Sequence, residues 1–172
     1  MDAKKVLIPK EISIDEPCLR CIYSPMQYSR SKRKLRENAI LPPPNRNRND
    51  VPLSRRNYIT GLEVCINRGR GIVMGENQFC GIACFTKADV YQVNGDVDEL
   101  IRSDVVYAPM HLDEYVDPTI DVYVGDPNVD KGDHAELRYS RCYDKTDVVY
   151  TSFRKYAQSL VSKIKMIYLE PE

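Results

Sequence analysis

Polar and apolar positions alternate most clearly near the C-terminus. Phe153, Tyr156, Ala157, Leu160, Val161 and Ile164 recur at three- and four-residue steps, while Arg154, Lys155, Gln158 and Lys163 take the opposite side. This spacing predicts an amphipathic helix over about 153–165, started by Thr151 or Ser152. Tyr58, Leu62, Cys65 and Ile66 form a second stripe, with Ser54 as its N-cap and Gly69 as its stop, predicting a helix over about 55–67. A short exposed helix is predicted over 26–38, and another over 97–102 after the Asn94-Gly95 turn, capped by Asp96. Short apolar or alternating runs predict strands at 6–8, 19–23, 79–85, 90–93, 104–107, 120–124 and 134–140. Three consecutive prolines, Pro42 to Pro44, and the Asn/Arg run behind them make 41–52 a loop. Acidic loops are expected near 110–118 and 126–133.

Many short strands with few helices, no internal repeat and no linker predict one α+β domain. Its sheet is expected to be mixed or mainly antiparallel, with two or three helices including the C-terminal one. A chain of 172 residues is long enough to bury a core. No apolar run approaches the ~20 residues of a membrane-spanning helix, and no membrane partner is expected. The opening Met1–Pro9 has too short an apolar run for a secretory leader. The expected location is the cytoplasm, where the six cysteines would stay reduced.

Charge changes this picture. The net charge of zero is the balance of three blocks. Residues 1–72 carry fifteen Lys/Arg against seven Asp/Glu, net +8, and residues 73–136 carry three against fourteen, net −11. Residues 137–172 carry seven against four, net +3. The positive charge is concentrated in Arg30, Lys32, Arg33, Lys34, Arg36, Arg46, Arg48, Arg55, Arg56, Arg68 and Arg70. Arginine's flat fork matches carboxylates and phosphates. Three readings stay open: the basic block neutralises the acidic block of its own chain, it meets an anionic protein, or it meets nucleic acid. Tyr23, Tyr28 and Tyr58 near the block are candidate stacking surfaces for single strands, or core-edge residues.

Cysteine offers further chemistry. Cys18-x2-Cys21 and Cys80-x3-Cys84 have ligand-like spacing, and four thiolates suit structural zinc. The same residues also read as buried free thiols, because the pairs lie far apart and small apolar residues separate Cys80 from Cys84. Thiol catalysis would need His111 or His134 beside Cys80, Cys84 or Cys142, and no signature surrounds these cysteines. Two acidic clusters are candidate divalent-metal sites of a nuclease: His111 with Asp113, Glu114 and Asp117, and Asp126, Asp130, Asp133, His134 and Glu136. They also read as solvated loops. Gly69, Gly71 and Gly75 lack the Lys-Ser/Thr ending of a phosphate loop and predict turns.

Leu19-Arg20-Cys21-Ile22-Tyr23-Ser24-Pro25, Ala39-Ile40-Leu41-Pro42 and Leu53-Ser54 resemble segments of small uncharacterised bacterial proteins, some encoded among defence or conflict genes. Asp133-His134-Ala135-Glu136-Leu137 before a basic terminal helix adds to the resemblance, which covers about a third of the chain. It implies an accessory role in a multi-gene system and no particular activity. The leading expectation is a non-enzymatic interaction protein that docks on a partner through the arginine-rich segment. The alternatives are a nucleic-acid binder or metal-dependent nuclease, and a zinc-stabilised binding module.

Overall fold

The computed structural model describes residues 5–44, 47–96, 101–127 and 130–172. Among them are eleven strands and three α-helices. In chain order the strands are β1 (Pro17–Ser24), β2 (Tyr28–Ser29), β3 (Lys34–Leu35), β4 (Asp50–Arg55), β5 (Gln78–Thr86) and β6 (Ser103–Tyr107). There follow β7 (Met110–His111), β8 (Glu114–Tyr115), β9 (Asp130–Lys131), β10 (His134–Tyr139) and β11 (Lys165–Leu169). The helices are α1 (Leu62–Gly71), α2 (Lys87–Asp96) and α3 (Tyr150–Val161). No helix among the described residues is long and apolar enough to cross a membrane.

Six strands form the main sheet in the order β11-β5-β1-β4-β10-β6, and every neighbouring pair is antiparallel. Alternation along each strand then decides which side chains meet which layer. Cys18 and Ile22 of β1 join the larger core, with Val51 and Leu53 of β4 and Leu137 of β10. Val90 and Val93 of α2 and Phe153, Tyr156 and Leu160 of α3 cover that face. Leu19 of β1 and Ile82 of β5 point to the other face, under Cys65 and Ile66 of α1. The fold is thus a single α+β domain with helices on both faces of one antiparallel sheet.

The strands at 19–23, 79–85, 104–107 and 134–140 form where the pattern places them, and so does a C-terminal helix, but α3 starts at Tyr150, ahead of Thr151 and Ser152, and ends at Val161, with Lys165 already in β11. Elsewhere the structure corrects the pattern. Residues 26–38 are a hairpin and a short 3-10 turn, not a helix. Buried Tyr28 and Leu35 pair across it and anchor it to the core, which a solvated helix would not allow. Ser54 and Arg55 lie in β4 rather than capping a helix, because Val51, Leu53 and Arg55 alternate into the large core between β1 and β10. Helix α1 therefore begins only at Leu62 and runs past Gly69 to Gly71. Residues 90–93 are helical. Thr86 and Asp89 form a reciprocal cap, the Thr86 amide donating to Asp89 Oδ2 at 2.8 Å and the Asp89 amide to Thr86 Oγ1 at 3.3 Å. Residues 120–124 contribute one bridge, Tyr123 to Leu7, in place of a strand, and 6–8 likewise. The predicted helix over 97–102 falls largely outside the described residues, and Asp96 ends α2.

The strand β11 has no counterpart in the sequence reading. It pairs with β5 at the sheet edge, and the closeness is set by Gly81: a Cβ there would lie 2.2 Å from the Tyr168 carbonyl oxygen.

Candidate functional site

The arginine-rich segment does not form one surface. Arg55 is 0% exposed. Its Nε and Nη2 donate to Glu16 Oε2 and Oε1 at 2.7 and 2.8 Å, Nη1 to the Pro9 carbonyl and Nη2 to that of Glu11. The rings of Tyr58 and Tyr107 flank it at 4.6 and 5.0 Å. It is a core cation, not a contact residue. Arg68 of α1 reaches across to the acidic block, with Nη1 and Nη2 on the two Asp133 oxygens at 2.8 and 3.0 Å. Arg70 donates to Glu170 Oε1, and with the Tyr168 hydroxyl it holds that carboxyl below the usual range. Arg30 donates to the Glu170 carbonyl at 3.2 Å, and Arg48 forks onto Asp50 at 3.2 and 2.7 Å. Arg56 is half-buried, and Arg46 lies outside the described residues.

What remains is the β2–β3 hairpin. Lys32, Arg33, Lys34 and Arg36 are all exposed, and none of them forms an ion pair among the described residues. Their backbone is tightly held. The Lys32 amide donates to Ser29 Oγ at 3.3 Å, Arg33 to the Arg30 carbonyl at 3.2 Å and Arg36 to that of Gln27 at 2.8 Å. Arg33 takes a positive φ of 47° at the tip. Beside the hairpin, Glu37 is taken up by Arg154 at 2.5 Å and Gln158 at 2.8 Å. The structure thus presents four cations on an anchored turn. Tyr23 and Tyr28 are buried at 1% and 4% exposure, and Tyr58 lies on Arg55, so none of the three is a free stacking platform.

A second arrangement escaped the sequence reading. His134, Glu136 and Arg138 share one face of β10, and the register sets Glu136 opposite Pro52 and Arg138 opposite Asp50. The β7–β8 hairpin lies over this part of the face. Its turn residues Leu112 and Asp113 both take positive φ, 47° and 66°, the twist that suits a two-residue hairpin. The turn carries Tyr115 so that its hydroxyl donates to Glu136 Oε1, and Arg138 Nη2 donates to Oε2 at 2.8 Å. Asn49, Asp50, Tyr115, Glu136 and Arg138 line a broad cleft of about 440 Å3. Burial and the Glu136 contact push the Tyr115 hydroxyl up to about 12. The β10 alternation was a legible signal for Glu136 and Arg138; nothing in the sequence brings Asp50 and Tyr115 to them.

The cysteines do not assemble into a zinc site. Leu19 pairs with Cys84 and Cys21 with Ile82, so Cys21 and Cys84 share the α1 face. Cys18 and Cys80 belong to the opposite core. A register shift beside Cys80 turns it away from Cys84 despite their even spacing. Among the described residues no three His, Cys, Asp or Glu side chains gather as metal ligands. Burial pushes the Cys18 and Cys21 thiols up to about 12, the opposite of what a nucleophile needs. His111 Nδ1 pairs with Asp130 at 2.6 Å and His134 Nδ1 with the Ala108 carbonyl at 2.7 Å, so both hydrogen bonds turn away from thiols. In the acidic loops, Asp113 is paired with Lys131 at 2.5 Å and Asp133 with Arg68, which uses their charge inside the chain.

Compared with family models, with curated proteins and with solved structures, the chain matched none.

Proposed function

We propose that this chain is a non-enzymatic interaction protein that docks on an acidic protein surface through the β2–β3 hairpin. The sequence resemblance suggests the setting, an accessory component of a bacterial multi-component system. One observation carries the reading: Lys32, Arg33, Lys34 and Arg36 are exposed on an anchored turn without ion pairs, while Arg48, Arg55, Arg68 and Arg70 are held by Asp50, Glu16, Asp133 and Glu170. A turn fixed beforehand loses little entropy on binding. A protein partner is favoured over single-stranded nucleic acid because the nearby tyrosines are buried or occupied.

The test is fluorescence anisotropy with a labelled glutamate-rich peptide and, separately, a labelled single-stranded oligonucleotide. The peptide is expected to bind the native protein. It should lose binding in the variant Lys32→Gln/Arg33→Gln/Lys34→Gln/Arg36→Gln and keep it in Lys145→Gln/Lys155→Gln, two exposed cations elsewhere. Binding of the oligonucleotide alone, weakening steeply with salt, would replace this reading with the nucleic-acid one.

A further inference from the structure

On the reading that the β2–β3 hairpin docks on an acidic protein surface, we infer that this surface belongs to a second copy of the chain: the outer face of the β7–β8 hairpin and the turn behind it. The Tyr115 hydroxyl fastens this hairpin to Glu136 on one side. Its other side carries apolar side chains in the open. Leu112, Tyr115 and Ile120 are 60%, 61% and 58% exposed, and exposed Tyr123 follows, bridged to exposed Leu7. Apolar groups crowded on one exposed segment mark a contact surface. Acids surround them. Asp113 is taken by Lys131 and Asp130 faces His111. That leaves Glu114, Asp117 and Asp121, all exposed and in no ion pair among the described residues.

The same chain thus carries four unpaired cations at one place and three unpaired acids around apolar side chains at another. Its net charge is zero, so no overall repulsion keeps two copies apart. Surface ion pairs contribute little by themselves, and the apolar centre has to add to them. Lys and Arg side chains are apolar up to the charged head, and an arginine fork lies well on a tyrosine ring. The hairpin can therefore cover Leu112 and Tyr115 while its charges reach the acids.

The two patches do not meet within one chain. Tyr28 and Leu35 seat the β2–β3 hairpin in the core under α2 and α3. Glu136 alternates with Ala135 and Leu137 of that core, so the β7–β8 hairpin above Glu136 lies on the opposite side of the sheet. Patches on opposite sides cannot both be exchanged between the same two copies. The contact is heterologous: the hairpin of one copy meets the face of the next, and the chain of copies stays open to growth.

The test is sedimentation velocity of the whole chain over a roughly hundredfold concentration range, at about 50 and 500 mM salt. At low salt the mean mass is expected to rise with concentration past that of a dimer, and at high salt to fall toward the monomer. Two variants separate the patches: Lys32→Gln/Arg33→Gln/Lys34→Gln/Arg36→Gln, and Leu112→Asn/Glu114→Gln/Asp117→Asn/Asp121→Asn. Asparagine suits position 112, where φ is 47°. Each variant alone should lose affinity for itself by about tenfold or more, with an unchanged circular dichroism spectrum. Their equimolar mixture holds one intact hairpin and one intact face, so it should form a dimer and stop there. A mixture that stays monomeric, or association that survives either variant, would overturn the inference. A native chain that is monomeric throughout would overturn it too. If that chain still binds the glutamate-rich peptide, the hairpin reading stands without the second copy; if it does not, both fall. Should the face variant not fold, Glu114→Gln/Asp121→Asn takes its place in the mixture.

Discussion

Arg55→Met is expected to cost about 3–5 kcal/mol, the usual loss when one member of a buried ion pair is removed. The figure follows from what the substitution leaves behind. Glu16 is 4% exposed, and both of its oxygens accept from Arg55 at 2.7 and 2.8 Å. Methionine fills much of the space between Tyr58 and Tyr107 but supplies no donor. The Glu16 carboxylate and the carbonyls of Pro9 and Glu11 would then be buried without their partner. Against a native stability on the order of 5–15 kcal/mol, this is a large fraction.

The assay is urea unfolding at pH 7 followed by circular dichroism. With a slope of about 2 kcal/mol/M, the midpoint should fall by roughly 1.5–2.5 M. A double-mutant cycle isolates the pair. Adding Glu16→Gln to Arg55→Met removes the stranded charge, so the double variant should be more stable than Arg55→Met alone. A loss below about 1 kcal/mol for Arg55→Met, or strict additivity in the cycle, would refute the argument, since the pair would then have to be solvated.

Gly81→Ala should push β11 off the sheet, because the new Cβ would meet the Tyr168 carbonyl at 2.2 Å and Met166 Cε at 2.7 Å. A loss of about 1–3 kcal/mol is expected, with hydrogen-exchange protection falling at Lys165–Leu169 first. A thiol reagent at pH 8 should find exposed Cys142 first, half-buried Cys21 and Cys84 more slowly because burial raises their pKa, and buried Cys18, Cys65 and Cys80 only after unfolding; fast labelling of any of the last three in the native protein would contradict their burial. His134 gives a pH dependence: burial holds its pKa below the ordinary 6.5, so the unfolded chain takes up its proton first as pH falls. The stability it contributes is complete above 6.5 and declines as pH drops below it, and His134→Gln should flatten that decline in unfolding midpoints between pH 7 and 5.

The parts of this fold that were legible are those whose side chains obey the simple rule of apolar inside and polar outside. Along β10 and on α3 the period locates the element, and along β1 and β5 the apolar run does. Two failures have the opposite cause, and a third comes from propensity. In β4 a core position is filled by Arg55, a residue that pattern reading assigns to solvent, so the alternation of Val51 and Leu53 looked like the end of a loop. In β11 the exposed Ile167 and Leu169 are apolar, so after Lys165 the strand shows no polar face and no alternation marked it. Val90 and Val93 looked like a strand because valine favours strands, yet their three-residue step buries both on α2. The Thr86–Asp89 cap was readable in advance and was the better signal. Of the cleft only Glu136 and Arg138 were legible, from the β10 alternation; Asp50 and Tyr115 join them only through the pairing of strands far apart in the chain.

The charge division takes a different meaning once the chain is folded. Part of the positive block is spent in pairs with acids far away in sequence: Arg55 with Glu16, Arg68 with Asp133, Arg70 with Glu170. These pairs fasten the N-terminal segment to β4, α1 to the loop before β10, and the end of α1 to the residue after β11. A screening length of about 8 Å at physiological salt confines the field of the cations left unpaired. The four hairpin cations therefore steer a partner only over that range and act most strongly at contact. Their value lies in the fixed backbone that Tyr28 and Leu35 anchor. It follows that substitution of Lys32, Arg33, Lys34 and Arg36 should lower the association rate of an acidic partner and flatten its salt dependence, as well as raise the dissociation rate, a division that stopped-flow kinetics at two salt concentrations resolves.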